Sequence, residues 1–404
     1  MRVNPNFAKF KEDYVYVSVK EKLTQYMQTH PPQAEILDLS IGDVSFPLNQ
    51  GVIEAIHLAA DQQGKMDTFH GYSPKKGHPF LVRAILENDY QAKGIPVNEN
   101  EIFISDGAKS DVAHIQDLFA EDITIAVVDP FYPVYIDSNV MASRAGEYDE
   151  KTHRWSRLVY LEANEDNAFV PNLPQQAVDV IYLNYPNNPT GKALTQSELQ
   201  AFVDYANQHQ ALIIYDAAYE AFIQSAEIPR SIYTCQGARN CAIEIKSFSK
   251  SAGFTGLRLG YMIIPEDLVY EGQSLNEMWA RREATKFNGA SFIIQKAGQA
   301  VYQPRVKAEI KANIQHYLAN ACRVKESLIE AGFVVYGGEN APYLWVKSIH
   351  EQSSWAFFEE LLNKYQVVST PGSAYGTNGE NFVRLSMFAA DGIIDKLIKR
   401  LKEL

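Results

Sequence analysis

Six short runs between residues 101 and 264 leave this chain few ways to fold. EIFIS (101–105), TIAVVD (124–129), VDVIYLN (178–184), ALIIYD (211–216), AIEI (242–245) and LGYMII (259–264) are close to continuously apolar. A strand with one wet face alternates with a period of two, so most of these must be covered on both faces. Between them lie stretches with a helical period. TQSELQAFVDYANQH (195–209) is one, opened by a threonine with a glutamate three residues on, the signature of a capping box. Strands buried on both faces and alternating with helices predict an α/β fold, a three-layer α/β/α domain around a mostly parallel sheet. We assign residues 50–294 to this larger domain. A long helical stretch over about 291–331 leaves it, and FVVYGG, YLWVKS, a helix around 354–365 and NFVRLS predict a smaller α+β domain over 295–404. Residues 1–49 read as an N-terminal arm that also contributes to that smaller domain.

Several classes of function are excluded at this level. A net charge of -12 is the opposite of the basic face that a nucleic-acid binder presents. No apolar run approaches the roughly 20 residues of a membrane helix. The first residues, MRVNPNFAKFKEDY, lack the apolar core of a secretory signal. Cys235, Cys241 and Cys322 show no CxxC spacing. They read as reduced, buried thiols of a cytoplasmic protein, and no metal site is expected.

In open α/β sheets, ligands sit beyond the carboxyl ends of the strands. Five ends here are polar where the apolar run stops: SDGAK (105–109), DPFY (129–132), NYPNNPTG (184–191), DAAY (216–219) and SFSK (247–250). One polar end is a capped loop, whereas five together look like one shared site. Lys250 follows a strand and is flanked by Ser247, Ser249, Arg258 and several glycines. Hydroxyls, a guanidinium and freely approaching backbone N–H groups suit a phosphate, and Gly107-Ala108-Lys109 opens a helix with a further set of N–H donors. A lysine beside such a phosphate suggests covalent attachment of pyridoxal phosphate. That cofactor needs a carboxylate at its ring nitrogen, for which Asp216 stands at a strand end. It needs donors to its 3-oxygen, with Asn187 and Tyr219 as candidates, and an aromatic over its ring, with Tyr132 placed to stack. A substrate carboxylate needs a guanidinium fork, and Arg384 lies in the apolar run NFVRLS.

YPNNPTG, YDAAY and SFSKSAGFTGLRLG, in that order, resemble the fold-type I, class I/II pyridoxal-phosphate aminotransferases across nearly the whole chain. Within that family LSIGDVSFPL, FHGYSPKKG, FISDGAKSDV, VVDPFYPVYID, TKFNGAS and GGENAPYLWVK are similar to segments of the LL-diaminopimelate aminotransferases of the plant and chlamydial type. The resemblance implies amino transfer between LL-diaminopimelate and 2-oxoglutarate, serving lysine and peptidoglycan precursor synthesis. It implies Lys250 as covalent anchor and proton carrier, Asp216 at the ring nitrogen, Tyr219 and Asn187 at the 3-oxygen, and Tyr132 on the ring. Ala108, Lys109, Ser247, Ser249 and Arg258 would hold the phosphate, with Tyr72 reaching in from a second subunit of a homodimer. Arg384, Asn187 and the Gly42 backbone would hold the α-carboxylate, and Tyr14, Lys109 and Asn288 the distal end of the substrate.

One position departs from that pattern. Lys75, in GYSPKKG, stands where the resemblance leads us to expect a carboxylate facing the distal ammonium, and Val44-Ser45-Phe46 replaces a more polar segment. Like charges at close range repel, so a different amino donor is the alternative reading. A lyase, decarboxylase or cyclase on the same fold is a further one, as is a catalytically silent scaffold, which the presence of Lys250, Asp216, Arg258 and Arg384 disfavours. Ser247-Phe248-Ser249-Lys250 also satisfies S-x-x-K, but the chain has no K-T-G and no G-x-S-x-G elbow. GFTGLRLG is not a dinucleotide fingerprint, and no P-loop is present.

Overall fold

The computed structural model describes residues 1–10, 15–29 and 35–402. Seven strands build the larger sheet: β1 (Ile102–Ser105), β2 (Ile125–Asp129), β3 (Leu158–Glu162), β4 (Val180–Asn184), β5 (Leu212–Asp216), β6 (Ala242–Ser247) and β7 (Gly260–Ile263). Their order is β1-β7-β6-β5-β4-β2-β3, and every pairing is parallel except those of β7, which runs against both β1 and β6.

The unbroken apolar runs have a direct cause. Alternate residues of each strand enter two separate cores, so that Ile213 and Tyr215 pack into one and Leu212 and Ile214 into the other. Each such side chain taken fully out of water contributes about 1.5–3 kcal/mol. The seventh strand, β3, has no counterpart in the sequence reading. It is an edge strand whose Val159, Tyr160 and Glu162 are only half-buried, so it lacks the continuous apolar signal.

The predicted helix over 291–331 is two helices, Phe292–Ala300 and Pro304–Glu330. Pro304 has no N–H to continue the first one and begins the second instead, with Gln303 at its cap. The helix at 195–209 forms over Gln196–His209, with Thr195 and Glu198 closing the capping box.

A second, antiparallel sheet consists of β8 (Val334–Gly337), β9 (Tyr343–Lys347), β10 (Thr370–Pro371) and β11 (Phe382–Ser386), ordered β8-β9-β11-β10. The N-terminal region joins it. Leu37–Asp38 pairs in parallel with Val367–Val368, and Leu37 and Leu39 enter its core. The helix Val15–Thr29 sets Val19 against Phe358 and Leu362. Cys235 and Cys241 are buried as expected, but Cys322 is exposed, because it lies on the outer face of the Pro304–Glu330 helix. No helix among the described residues is long and apolar enough to cross a membrane.

Register aligns the polar strand ends. Asn184 pairs with Asp216, and Gly260 lies between Ser247 and Ser105. One edge of the larger sheet therefore carries the polar termini, and Arg384 on β11 meets that edge from the smaller sheet.

Candidate active site

Lys250 sits on a single helical turn, Phe248–Ser251, that follows β6. Ser247 caps the turn, its hydroxyl accepting from the Ser249 N–H at 3.1 Å. The Lys250 ammonium donates to the Gly42 carbonyl and lies 5.6 Å from the Phe388 ring centroid. Burial pushes its pKa down to about 8; Asp43 opposes this, and the Arg384 and Arg258 guanidiniums add to it. About one amine in ten is then neutral at pH 7, against roughly one in 2500 for a solvated lysine. Such a lysine is a usable nucleophile. Gly42 has no room for a side chain, since a Cβ there would collide with the Tyr343 hydroxyl.

Asp216 ends β5 and is buried. Its Oδ2 accepts from the Tyr135 hydroxyl at 2.7 Å, and its Oδ1 accepts from the Ala218 N–H at 3.1 Å. Burial raises its pKa, while these two hydrogen bonds oppose the rise. No cationic side chain pairs with it among the described residues, so the site calls for a bound cationic or N–H group. Tyr135 is absent from the sequence reading. It lies three residues after Tyr132, packs edge-on to it at 5.9 Å and stacks on Tyr182 at 5.2 Å. The repeated aromatic in FYPVY is the signal that could have revealed it.

Tyr219 is buried, and its hydroxyl lies 2.7 Å from that of Tyr343. Tyr132 stands beside Lys109, whose Nζ is 5.8 Å from the ring centroid.

The two adjacent asparagines divide differently from the sequence reading. Asn187 is spent on its own loop: its Oδ1 accepts from the Thr190 N–H at 3.0 Å and hydroxyl at 2.8 Å, and its Nδ2 donates to the Asn184 carbonyl at 3.3 Å. Asn188 is the one that meets Arg384, its Oδ1 accepting from Nη1 at 2.7 Å. The Nδ2 of Asn188 makes no hydrogen bond to a described residue, so this amide can donate to a ligand. The reason is the turn itself, which is closed by a side-chain carbonyl three residues before Thr190, the position that Asn187 holds.

Around Lys250 the backbone forms a cradle. Gly107 has φ +123°, and a Cβ on it would lie 2.5 Å from Arg258 Nη2. A Cβ on Gly260 would lie 2.9 Å from the Gly107 Cα and 3.1 Å from the Ala108 nitrogen. Arg258 Nη1 donates to the Ser249 hydroxyl and to the Thr255 carbonyl, both at 3.3 Å. Ser105, the first residue of the polar end SDGAK, fixes the entry to this loop: it donates to Asp111 at 2.6 Å and accepts from the Gly107 N–H at 3.2 Å. Ala108, Ser247, Ser249 and Arg258 are thus gathered at one point, a concave set of N–H, hydroxyl and guanidinium donors suited to a phosphate.

Arg384 is fully buried on β11. Nη2 donates to the Ser40 carbonyl at 2.5 Å, and the guanidinium lies 4.6 Å from the Tyr343 ring, 5.2 Å from Tyr375 and 5.8 Å from Tyr16. Nε has no partner, and no carboxylate pairs with this arginine among the described residues. A buried guanidinium without a counter-ion is costly unless a ligand brings the carboxylate.

Two expected residues, Tyr72 and Asn288, are exposed within one chain, Tyr72 at 88%, as is Lys75 at the departing position. They share one loop cluster, because Gly289, next to Asn288, lies against Ser73. Tyr14 lies outside the described residues.

The groups that pyridoxal phosphate requires are therefore present: a depressed lysine, a buried carboxylate lacking a cation and a phosphate-sized cradle. Residues 34–401 match the family model described as aminotransferase class I and II. The chain is 50% identical over 403 residues to the LL-diaminopimelate aminotransferase of Agathobacter rectalis, covering 100% of both. It is 47% identical over 405 residues to that of Bacteroides thetaiotaomicron, covering 99% of this chain and 98% of the relative. The solved structure of L,L-diaminopimelate aminotransferase from Chlamydomonas reinhardtii matches it with a TM-score of 0.94 at 38% identity, covering 100% of this chain and 98% of that one. Aspartate aminotransferase from Thermus thermophilus with maleate shares the fold at a TM-score of 0.83 and 20% identity, over 100% of each chain. The chain belongs to the class I and II aminotransferases, pyridoxal-phosphate-dependent enzymes that move an amino group between small amino and oxo acids.

Proposed function

We propose that this enzyme transfers an amino group between LL-diaminopimelate and 2-oxoglutarate. The observation that carries the donor is full-length similarity, at up to 50% identity, to relatives bearing that activity in their names. When bound, the cofactor supplies a carbonyl that accepts the amino group and a ring that withdraws electrons from the substrate Cα. The residues divide the remaining work. Lys250 anchors the cofactor and then moves the proton between substrate Cα and cofactor C4′, a task suited to an amine titrating near neutrality. Asp216, oriented by Tyr135 and Ala218, holds the proton on the ring nitrogen. Tyr219 and the free amide of Asn188 donate to the 3-oxygen, with Asn188 taking the part first assigned to Asn187. Tyr132 covers the ring. Ala108, Lys109, Ser247, Ser249 and Arg258 hold the phosphate. Arg384, pre-set by Asn188 and Ser40, binds the α-carboxylate beside the Gly42 backbone.

We further infer a homodimer, in the cytoplasm, whose second subunit lends Tyr72 to the phosphate and Asn288 to the distal end of the substrate. Exposure supports this reading. Met66 is 97%, Phe69 62% and Tyr72 88% exposed on one segment, an apolar surface that a second copy would cover. The exposed Lys75 on that same segment favours a second reading, in which the donor lacks the distal ammonium. Turnover of LL-diaminopimelate with 2-oxoglutarate, set against a panel of other amino donors, separates the two. LL-diaminopimelate as the best donor supports the proposal; an inert LL-diaminopimelate with an active anionic donor replaces it with the second reading.

A further inference from the structure

A cleft of about 500 Å³ lies where the Pro304–Glu330 helix crosses the ends of β5 and β6. It adjoins the site above and shares Ser247 with it. Ala217, Ala218 and Glu220 form part of its floor, with Ser247 and Ser251 from the lysine turn, but Lys250, Asp216, Arg258 and Arg384 do not line it. The floor carries both signs, Asp89 and Glu220 against Arg230 and Lys246. Glu220 lies 3.6 Å from Arg230 and 3.7 Å from Lys246. Lys246 also donates to the Arg230 carbonyl at 2.8 Å, and Asp89 accepts from Tyr261 at 2.9 Å and from Tyr302 at 2.5 Å.

The rim is different. Lys307 and Lys311 stand one helical turn apart, with Ile310 and Ile314 beside them, and Lys93 also lines the cleft. All three lysines are exposed. None forms an ion pair with a carboxylate among the described residues. Lys307 rests on the neutral Asn88 side chain at 2.5 Å, and Lys93 acts on Glu220 only through space. Three cations without an ion-pair partner among the described residues thus line one concavity in a chain whose net charge is -12. Such a concentration of one sign against the overall charge focuses anions into the cleft, and the low-dielectric isoleucine wall strengthens that attraction.

We propose that this cleft binds a small multiply charged anion, held by Lys93, Lys307 and Lys311. Polycarboxylates and phosphate compounds share that chemistry. An occupant would touch Ala218 and Ser251, each within two residues of a cofactor-site side chain, so binding here would also alter turnover.

The test uses the holoenzyme, whose phosphate cradle is already filled, and titrates citrate and inorganic pyrophosphate separately by calorimetry at constant ionic strength. The triple variant Lys93→Ala, Lys307→Ala, Lys311→Ala should lose at least tenfold in affinity. Its thermal midpoint, visible absorbance and turnover without added anion should match the parent enzyme. Citrate alone binding assigns a polycarboxylate, pyrophosphate alone a phosphate compound, and both the shared chemistry; each supports the cleft. Equal affinity in the triple variant places the anion elsewhere, at Arg384 for instance, and overturns the proposal. So does the absence of measurable binding by either probe.

Discussion

Replacing Lys250 by methionine should make the cofactor-free protein more stable at neutral pH, not less. The lysine's pKa falls from its ordinary 10.5 to about 8. At about 1.4 kcal/mol per unit, holding the charged amine in this pocket costs about 3 kcal/mol. Methionine fills similar space without charge but leaves the Gly42 carbonyl without its donor, a loss of about 1 kcal/mol. The net gain is about 2 kcal/mol. Its pH dependence is the sharper signature. Below the folded value of about 8, both folded and unfolded wild type carry the proton and the whole cost is present. Between there and 10.5, the unfolded chain still holds a proton that the folded chain has released, so wild-type stability rises with pH and the advantage of the variant shrinks. Above 10.5 only the lost hydrogen bond remains, and Lys250→Met becomes the weaker protein. Urea midpoints of both cofactor-free proteins across this range, read by far-ultraviolet circular dichroism, trace the crossover. A stability difference that stays flat with pH, or one that favours wild type at neutrality, refutes the reasoning.

Arg384→Lys keeps the charge but loses the fork, so KM for the amino donor should rise about 10–100-fold, the equivalent of one or two charge-assisted hydrogen bonds, with the visible absorbance of the lysine-bound cofactor unchanged. Tyr135→Phe removes one of the two donors to Asp216, and its carboxyl should be pushed up further; we expect about tenfold weaker retention of cofactor on dialysis, whereas full retention would show that Tyr135 is only a packing residue. The adjacent asparagines should part company: Asn188→Ala lowers turnover by about an order of magnitude through the acceptor it takes from Arg384, while Asn187→Ala keeps turnover nearer the parent and lowers the thermal midpoint by several degrees through its lost Thr190 contacts. Steady-state kinetics and calorimetry on the two variants check that division.

What could be read directly from the chain was whatever is local to a strand end. Asp216 and Lys250 each follow an apolar run, and a titratable group at the mouth of a buried strand carries its own argument. The residues that escaped owe their role to distant partners. Asn188 matters because Arg384 comes to it from another sheet, and nothing in NNP distinguishes it from Asn187. Tyr343 reaches both Tyr219 and Gly42 only once the smaller sheet docks. The edge strand β3 escaped for a related reason, since a half-buried strand has no pattern as plain as that of its covered neighbours. Tyr72 and Asn288 face outward, so one chain cannot display what they touch.

The reversed strand β7 has a consequence of its own. Because it runs against β6, Gly260 returns to the partner position of Ser247, and the segment 248–259 is closed at its base like a link of chain. Lys250 belongs to that link. Its two ends are fixed by sheet hydrogen bonds, so residues toward the far side can change length or composition without moving the amine. The anchor is thereby insulated from drift in its own loop, and evolution is free to reshape the rim of the site while its chemistry stays in place.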